Sequence, residues 1–155
     1  MGILLFAFLI GCVCGLRSMT APAVVAWAAH MGWLHLDGSW LAWVANKISL
    51  VVFSLLAIGE LIADKLPFIP GRTQPGPLGA RIVFGALCGA ALCLSGGASL
   101  LLGAILGGLG GIAGAFAGYN YRGWLSRGAK LPDLLIALLE DLVAVGGGLL
   151  LVSHL

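Results

Sequence analysis

The stretch Ala98-Ser-Leu-Leu-Leu-Gly103-Ala-Ile-Leu-Gly107-Gly-Leu-Gly110-Gly111-Ile-Ala-Gly114-Ala-Phe-Ala-Gly118-Tyr-Asn-Tyr121 contains no Asp, Glu, Lys or Arg. A helix needs about 20 apolar residues to cross the hydrocarbon core of a bilayer. In lipid every backbone polar group must be satisfied internally, and a helix does this within one segment. The stretch therefore reads as a membrane-spanning helix. Its glycines recur at steps of three and four, which puts Gly103, Gly107, Gly111, Gly114 and Gly118 largely on one face. Small residues at that spacing let membrane helices approach closely. Gly11/Gly15 and Gly85/Gly89 repeat the step elsewhere in the chain. A tight pore or the interface of a homo-oligomer is the functional reading. Packing inside one bundle is the plainer and preferred one.

The whole chain shares this character. Of its 155 residues 61% are hydrophobic and 9% charged, with a mean hydropathy of +1.10. Soluble domains average about 25% charged residues, so too little polar surface exists here to cover a water-facing fold. The natural solvent is the lipid bilayer. A net charge of +2 with no basic stripe gives no footprint for nucleic acid. Cys12, Cys14, Cys88 and Cys93 lie in apolar runs, where free cysteine acts as a small hydrophobe. No Lys or Arg precedes the first apolar run, so no signal peptide is expected.

Working outward, the apolar regions are 2–34, 40–66, 78–95, 98–121 and 132–152. The first is interrupted by Gly15-Leu-Arg17-Ser-Met-Thr20-Ala-Pro22, and a break near Pro22 is expected. Lys65, Arg72 and Arg81 flank one connection, and Arg122, Arg127 and Lys130 another. Short loops rich in Lys and Arg stay in the cytoplasm. The expectation is an all-α polytopic bundle of five spans, one transmembrane domain over 1–155, with its N-terminus inside. Trp33, Trp40 and Trp43 suit an outer aromatic belt, and Tyr119, Tyr121 and Trp124 an inner one. Glu60 and its surroundings resemble those of Glu140, and Arg17 and Pro22 share the spacing of Arg127 and Pro132. Helices 1–2 and 4–5 thus read as an inverted repeat, a device of small transporters.

A few charges fall inside apolar segments. Arg17, Glu60, Glu140 and Asp141 each cost about 2.5–3.5 kcal/mol there by insertion scales unless paired or wetted, so they are functional positions by default. Glu60 and Asp64 share a helix face. With Glu140 and Asp141 they are expected to form an acidic cluster, with Arg17, Arg81 and Arg122 as counter-charges. Either an ion-linked solute site or structural ion pairs would use this set. Pro67 to Pro77 reads as a stiff turn, and Arg72 in it could meet a phosphate. His and Cys spacing offers no metal site, no nucleophile motif appears, and neither a catalytic residue nor a cofactor is assigned.

These residues carry a resemblance. Gly15-Leu-Arg17-Ser-Met-Thr20-Ala-Pro22, Gly59-Glu60-Leu-Ile-Ala-Asp64-Lys65-Leu-Pro67, Arg72-Thr73, Gly118-Tyr119 with Arg122, and Leu131-Pro132-Asp133 with Glu140-Asp141 recur in one order. The chain resembles the small bacterial membrane proteins of domain-of-unknown-function family 4126 over nearly its whole length. The resemblance implies a bacterial inner-membrane protein whose charged positions are family features, and implies no substrate. The leading expectation is a small transporter or channel for an ion or small solute. A membrane enzyme or binding protein for a lipid phosphate ranks second, with the carboxylates on Mg²⁺ and Arg72 and Arg81 on phosphate. An accessory subunit without chemistry ranks third.

Overall fold

The computed structural model describes residues 2–63, 75–128 and 132–155. Among them the chain has six α-helices and no strand. They are α1 (Gly2–Leu16), α2 (Thr20–His30), α3 (Lys47–Ala63), α4 (Pro75–Ser95), α5 (Leu100–Gly128) and α6 (Asp133–Ser153). A 3-10 turn at Ala42–Ala45 precedes α3. The helix α4, the helix α5 and residues Leu134–Ser153 of α6 are each long and apolar enough to cross a membrane. The helix α1 is apolar but shorter. Leu101, Leu142 and Leu150 are 62–69% exposed on the outward faces of α5 and α6, an arrangement that suits lipid as the solvent.

The first apolar region does not form one continuous helix. At 1.5 Å per residue α1 is roughly 22 Å long and α2 roughly 16 Å. The chain reverses between them at Arg17–Met19. Ile3 packs on Gly96, its Cγ1 2.7 Å from where a Gly96 Cβ would stand. The His35 N–H donates to Ser95 Oγ at 2.8 Å. The two ends of residues 3–35 therefore meet the same α4–α5 turn. Val13 and Val24 likewise both approach Gly148 of α6. The expected break near Pro22 lies a few residues earlier. Pro22 is the third residue of α2, inside the first turn, where its missing N–H breaks no helical bond.

The remaining helices fix the directions. The helix α4 runs antiparallel to α1, because Arg81 meets Gly15 and Gly85 meets Gly11. The helix α3 runs antiparallel to α2: Glu60 reaches Ser18, and Trp27 Nε1 donates to Ser54 Oγ at 3.0 Å. In α6, Asp141 meets Arg17, and His154 shares a groove with Phe6. One end of the bundle thus gathers the starts of α1 and α3, the α4–α5 turn and the end of α6. The ends of α3 and α5 and the starts of α4 and α6 lie at the other. Gly97, with φ +71°, closes the α4–α5 turn by taking the left-handed position that ends α4.

The glycines hold α1, α4 and α5 together backbone to backbone. A Cβ on Gly107 would stand 2.1 Å from the Gly85 oxygen, one on Gly89 2.2 Å from the Gly103 oxygen, and one on Gly114 2.2 Å from the Cys12 oxygen. A Cβ on Gly111 would lie 2.6 Å from the Arg81 oxygen. This face of α5 packs on α1 and α4 of the same chain. Gly118 is buried farther along, beside Glu140.

Helix limits differ from expectation in three places. The helix α4 begins at Pro75, with Pro75 and Pro77 in its first turn, where proline is tolerated. The helix α3 begins at Lys47, because residues 42–45 tighten into the 3-10 turn. The helix α5 continues to Gly128, so Arg122 and Arg127 sit on a helix, not in a loop.

Candidate functional site at the hairpin tip

Two half-helices end inside the bundle. A helix terminus leaves orphan carbonyls at its C-terminal end and orphan N–H groups at its N-terminal end. Away from water these need partners. Gly15, in the last turn of α1, abuts Gly111–Ala115 of α5, roughly 17 Å along that helix from Leu100. The tip Arg17–Met19 therefore lies well inside the bundle.

Each end receives the charge that its dipole favours. The partial negative charge at the end of α1 meets a cation and the partial positive charge at the start of α2 meets an anion. Arg81, 5% exposed, donates from Nε to the Gly15 carbonyl at 2.9 Å. It also donates to the Pro77 carbonyl at 3.2 Å. The N–H and hydroxyl of Ser18 donate to Glu60 Oε1 at 2.9 and 2.6 Å, and the Met19 N–H donates to Glu60 Oε2 at 2.8 Å. A guanidinium nitrogen of Arg81 stands 4.0 Å from Glu60 Oε1. The Cys14 thiol lies 3.4 Å from the Ser18 oxygen and 3.6 Å from that of Arg81, tying α1 to both sides of the tip.

Arg17 itself is fully buried and pairs with Asp141. One residue earlier on α6, Glu140 is 4% exposed and stands 3.9 Å from Arg122. Glu140 lines a crevice of about 380 Å³ with Leu16, Gly118, Tyr121 and Val143. Thr20, the first residue of α2, is also buried, and its Oγ1 has no hydrogen-bond partner among the described residues.

Among the described residues the sequence-marked charges come together in pairs. Glu60 serves α2 and Arg81, Asp141 serves Arg17, and Glu140 serves Arg122. A buried carboxylate is tolerated when it is paired and its lone pairs are filled. Asp64 and Arg72 lie outside the described residues. Among the described residues no three His, Cys, Asp or Glu side chains group as metal ligands. Sequence reasoning did not identify the backbone donors of Ser18 and Met19, the acceptor carbonyl of Gly15, or Cys14. The interruption in the apolar run at residues 15–22 was the only signal for them.

The order of these charged and glycine motifs along the chain is that of one family, and its model matches residues 4–154. The chain belongs to DUF4126, a domain of unknown function. The match reaches into every helix of the bundle and includes Arg17, Glu60, Arg81, Arg122, Glu140 and Asp141. No curated protein and no solved structure matches this DUF4126 chain.

Proposed function

We propose that this DUF4126 chain is a small membrane transporter or channel for an ion or small solute, with its site at the hairpin tip. The observation that carries the reading is the meeting of two half-helix ends with Arg17, Glu60, Arg81 and Asp141 inside the bundle. Irregular backbone at membrane depth is tolerated where it is buried in protein or lines a cavity, and discontinuous helices recur at the solute sites of transporters. Charged side chains within a membrane bundle are functional candidates by default.

The same reading sets a topology. In it α3, α4, α5 and α6 each cross the membrane and α1–α2 form a re-entrant hairpin, all within one transmembrane domain. In sequence Lys65 and Arg72 fall between α3 and α4 and Lys130 between α5 and α6, while Arg122 and Arg127 lie late in α5, at the end of the bundle away from the hairpin's two ends. The excess of positive charge there favours the cytoplasmic side of an inner membrane. The start of α1 then falls outside, not inside, because the fold-back removes one crossing. The inverted repeat drops out of this reading. Arg17 is buried at a tip while Arg127 is exposed in the last turn of α5. A homo-oligomer draws no support from the glycine face, which α1 and α4 already cover.

The test is solute flux into proteoliposomes across a panel of cations and anions. The expected result is saturable flux of at least one solute, altered in Glu60→Gln and Asp141→Asn proteins that remain folded. Absence of flux for the whole panel, or flux indifferent to both substitutions, would count against transport at this site.

A further inference from the structure

We propose that the last turns of α5 form a binding site for the phosphate of an anionic phospholipid headgroup, with Arg127 as its anchor. This goes beyond the transport reading and needs only that the long apolar helices span a bilayer.

The register of the bundle sets these turns at the membrane surface. Gly103, Gly107 and Gly111 of α5 meet Gly89, Gly85 and Arg81 of α4 in turn. Carried on, that register brings Pro75, the start of α4, about level with Ala117. The helix α4 has 21 residues. It is therefore roughly 32 Å long, which already matches a hydrocarbon core of about 30 Å. Residues 118–128 of α5 run roughly 16 Å farther, into the headgroup layer.

The surface there carries the chemistry of that layer. A cavity of about 740 Å³ opens on it, bordered by Tyr119, Asn120, Arg122, Trp124, Ser126 and Arg127. Tyr119 and Trp124 are 54% and 67% exposed, and such rings settle at headgroup level. Gly123 also borders the cavity and leaves it open, because a Cβ there would meet only an Arg127 guanidinium nitrogen at 3.6 Å. The Arg127 side chain thus folds back over Gly123. Among the described residues no Asp or Glu borders the cavity. A guanidinium offers a planar fork that matches phosphate, and Asn120 and Ser126 supply neutral donors beside it. Basic pockets beside membrane helices collect anionic headgroups in this way.

The same face favours a lipid over a soluble phosphate. Phe116, Asn120, Gly123 and Arg127 fall at i, i+4, i+7 and i+11, which is one side of a helix. Leu109 continues that side toward the core, and both Leu109 and Phe116 are exposed. An apolar lane therefore leads from the hydrocarbon up to the cavity. An acyl chain lies along it while the phosphate meets Arg127.

The experiment adds phosphatidylglycerol, phosphatidylcholine or sodium phosphate to the purified protein in detergent. Binding is read as a rise in Tm and as lipid retained in native mass spectrometry. Phosphatidylglycerol should raise Tm saturably and stay bound, and the other two should not. Arg127→Gln should weaken retention about fivefold, the effect of one basic residue near an anionic surface. Arg127→Lys should lose less. Gly123→Leu fills the cavity and keeps every charge, so it should lose as much as Arg127→Gln. Lys47→Gln, at the other end of the bundle, should bind as wild type does. Equal retention of the two lipids, or undiminished binding by Arg127→Gln, would overturn the proposal. Normal binding by Gly123→Leu would reduce it to general charge attraction and overturn the site. Full protection by sodium phosphate alone would make the occupant a soluble phosphate and overturn the lipid assignment.

Discussion

Arg81 Nε donates to the Gly15 carbonyl over 2.9 Å, so a side chain of α4 completes the last turn of α1. A hydrogen bond from a charged donor contributes about 1.5–3 kcal/mol. Arg81→Gln should therefore lower stability by roughly that amount, measured as a shift in thermal or SDS-induced unfolding in micelles. Arg81→Lys should recover only part of the loss, because an ammonium lacks the guanidinium fork that also reaches Pro77 and Glu60. Equal stability of Arg81→Gln and wild type would show that the α1 terminus does not depend on Arg81.

The Arg17–Asp141 pair should behave as one unit. Removing one partner of a buried pair costs about 3–5 kcal/mol, because the other charge is stranded. Arg17→Gln and Asp141→Asn should each be severely destabilised. The double variant should be less so than the sum of the two predicts. Additive losses in this double-mutant cycle would mean that the two charges are not energetically coupled.

The glycine contacts predict a contrast between two substitutions on neighbouring helices. Gly107→Ala places a methyl group 2.1 Å from the Gly85 oxygen, so two backbones must separate. Overpacking of this kind costs about 1–3 kcal/mol or more. Gly111→Leu should be worse still. Gly146→Ala, with nothing within 4 Å, should instead be neutral or stabilise by up to about 1 kcal/mol through helix propensity. A thermal-unfolding series in which Gly107→Ala and Gly146→Ala behave alike would contradict the close packing of α4 and α5.

The fold-back makes a prediction about sidedness. In a variant lacking Cys12, Cys14, Cys88 and Cys93, single cysteines at Ser39, Ser99 and Ser153 should label with a membrane-impermeant maleimide added outside intact cells. One at Arg127 should label only after permeabilisation. A reporter fused before Gly2 should read as external. A reading of that fusion as cytoplasmic, with Ser39 still labelled from outside, would restore a full first crossing.

Much of the bundle was legible in the sequence because lipid imposes a simple rule: long apolar runs become helices. The runs at 78–95, 98–121 and 132–152 correspond to α4, α5 and α6 on that basis alone. The hairpin was not legible. A run of apolar residues with a Pro at position 22 reads equally as a kinked span or as two half-helices, since hydropathy carries no direction. What decides is tertiary: the close approach of α5 at Gly15 and the arrival of Glu60 and Arg81 at the break. The site was half legible for the same reason. Arg17, Glu60 and Asp141 stood out as charges in apolar surroundings, and Arg81 as a counter-charge beside a connection. Their pairing required distances, and the Ser18 and Met19 N–H donors carry no side-chain signature.

Arg17 and Asp141 lie 124 positions apart in the chain, and this spacing orders the protein's birth. Chains emerge N-terminal end first. The hairpin is made when Glu60, Arg81 and Asp141 do not yet exist, so its tip cannot be neutralised as it leaves the ribosome. The Arg17–Asp141 pair cannot close until α6 has been made. The first segment synthesised thus completes its contacts only with the last helix.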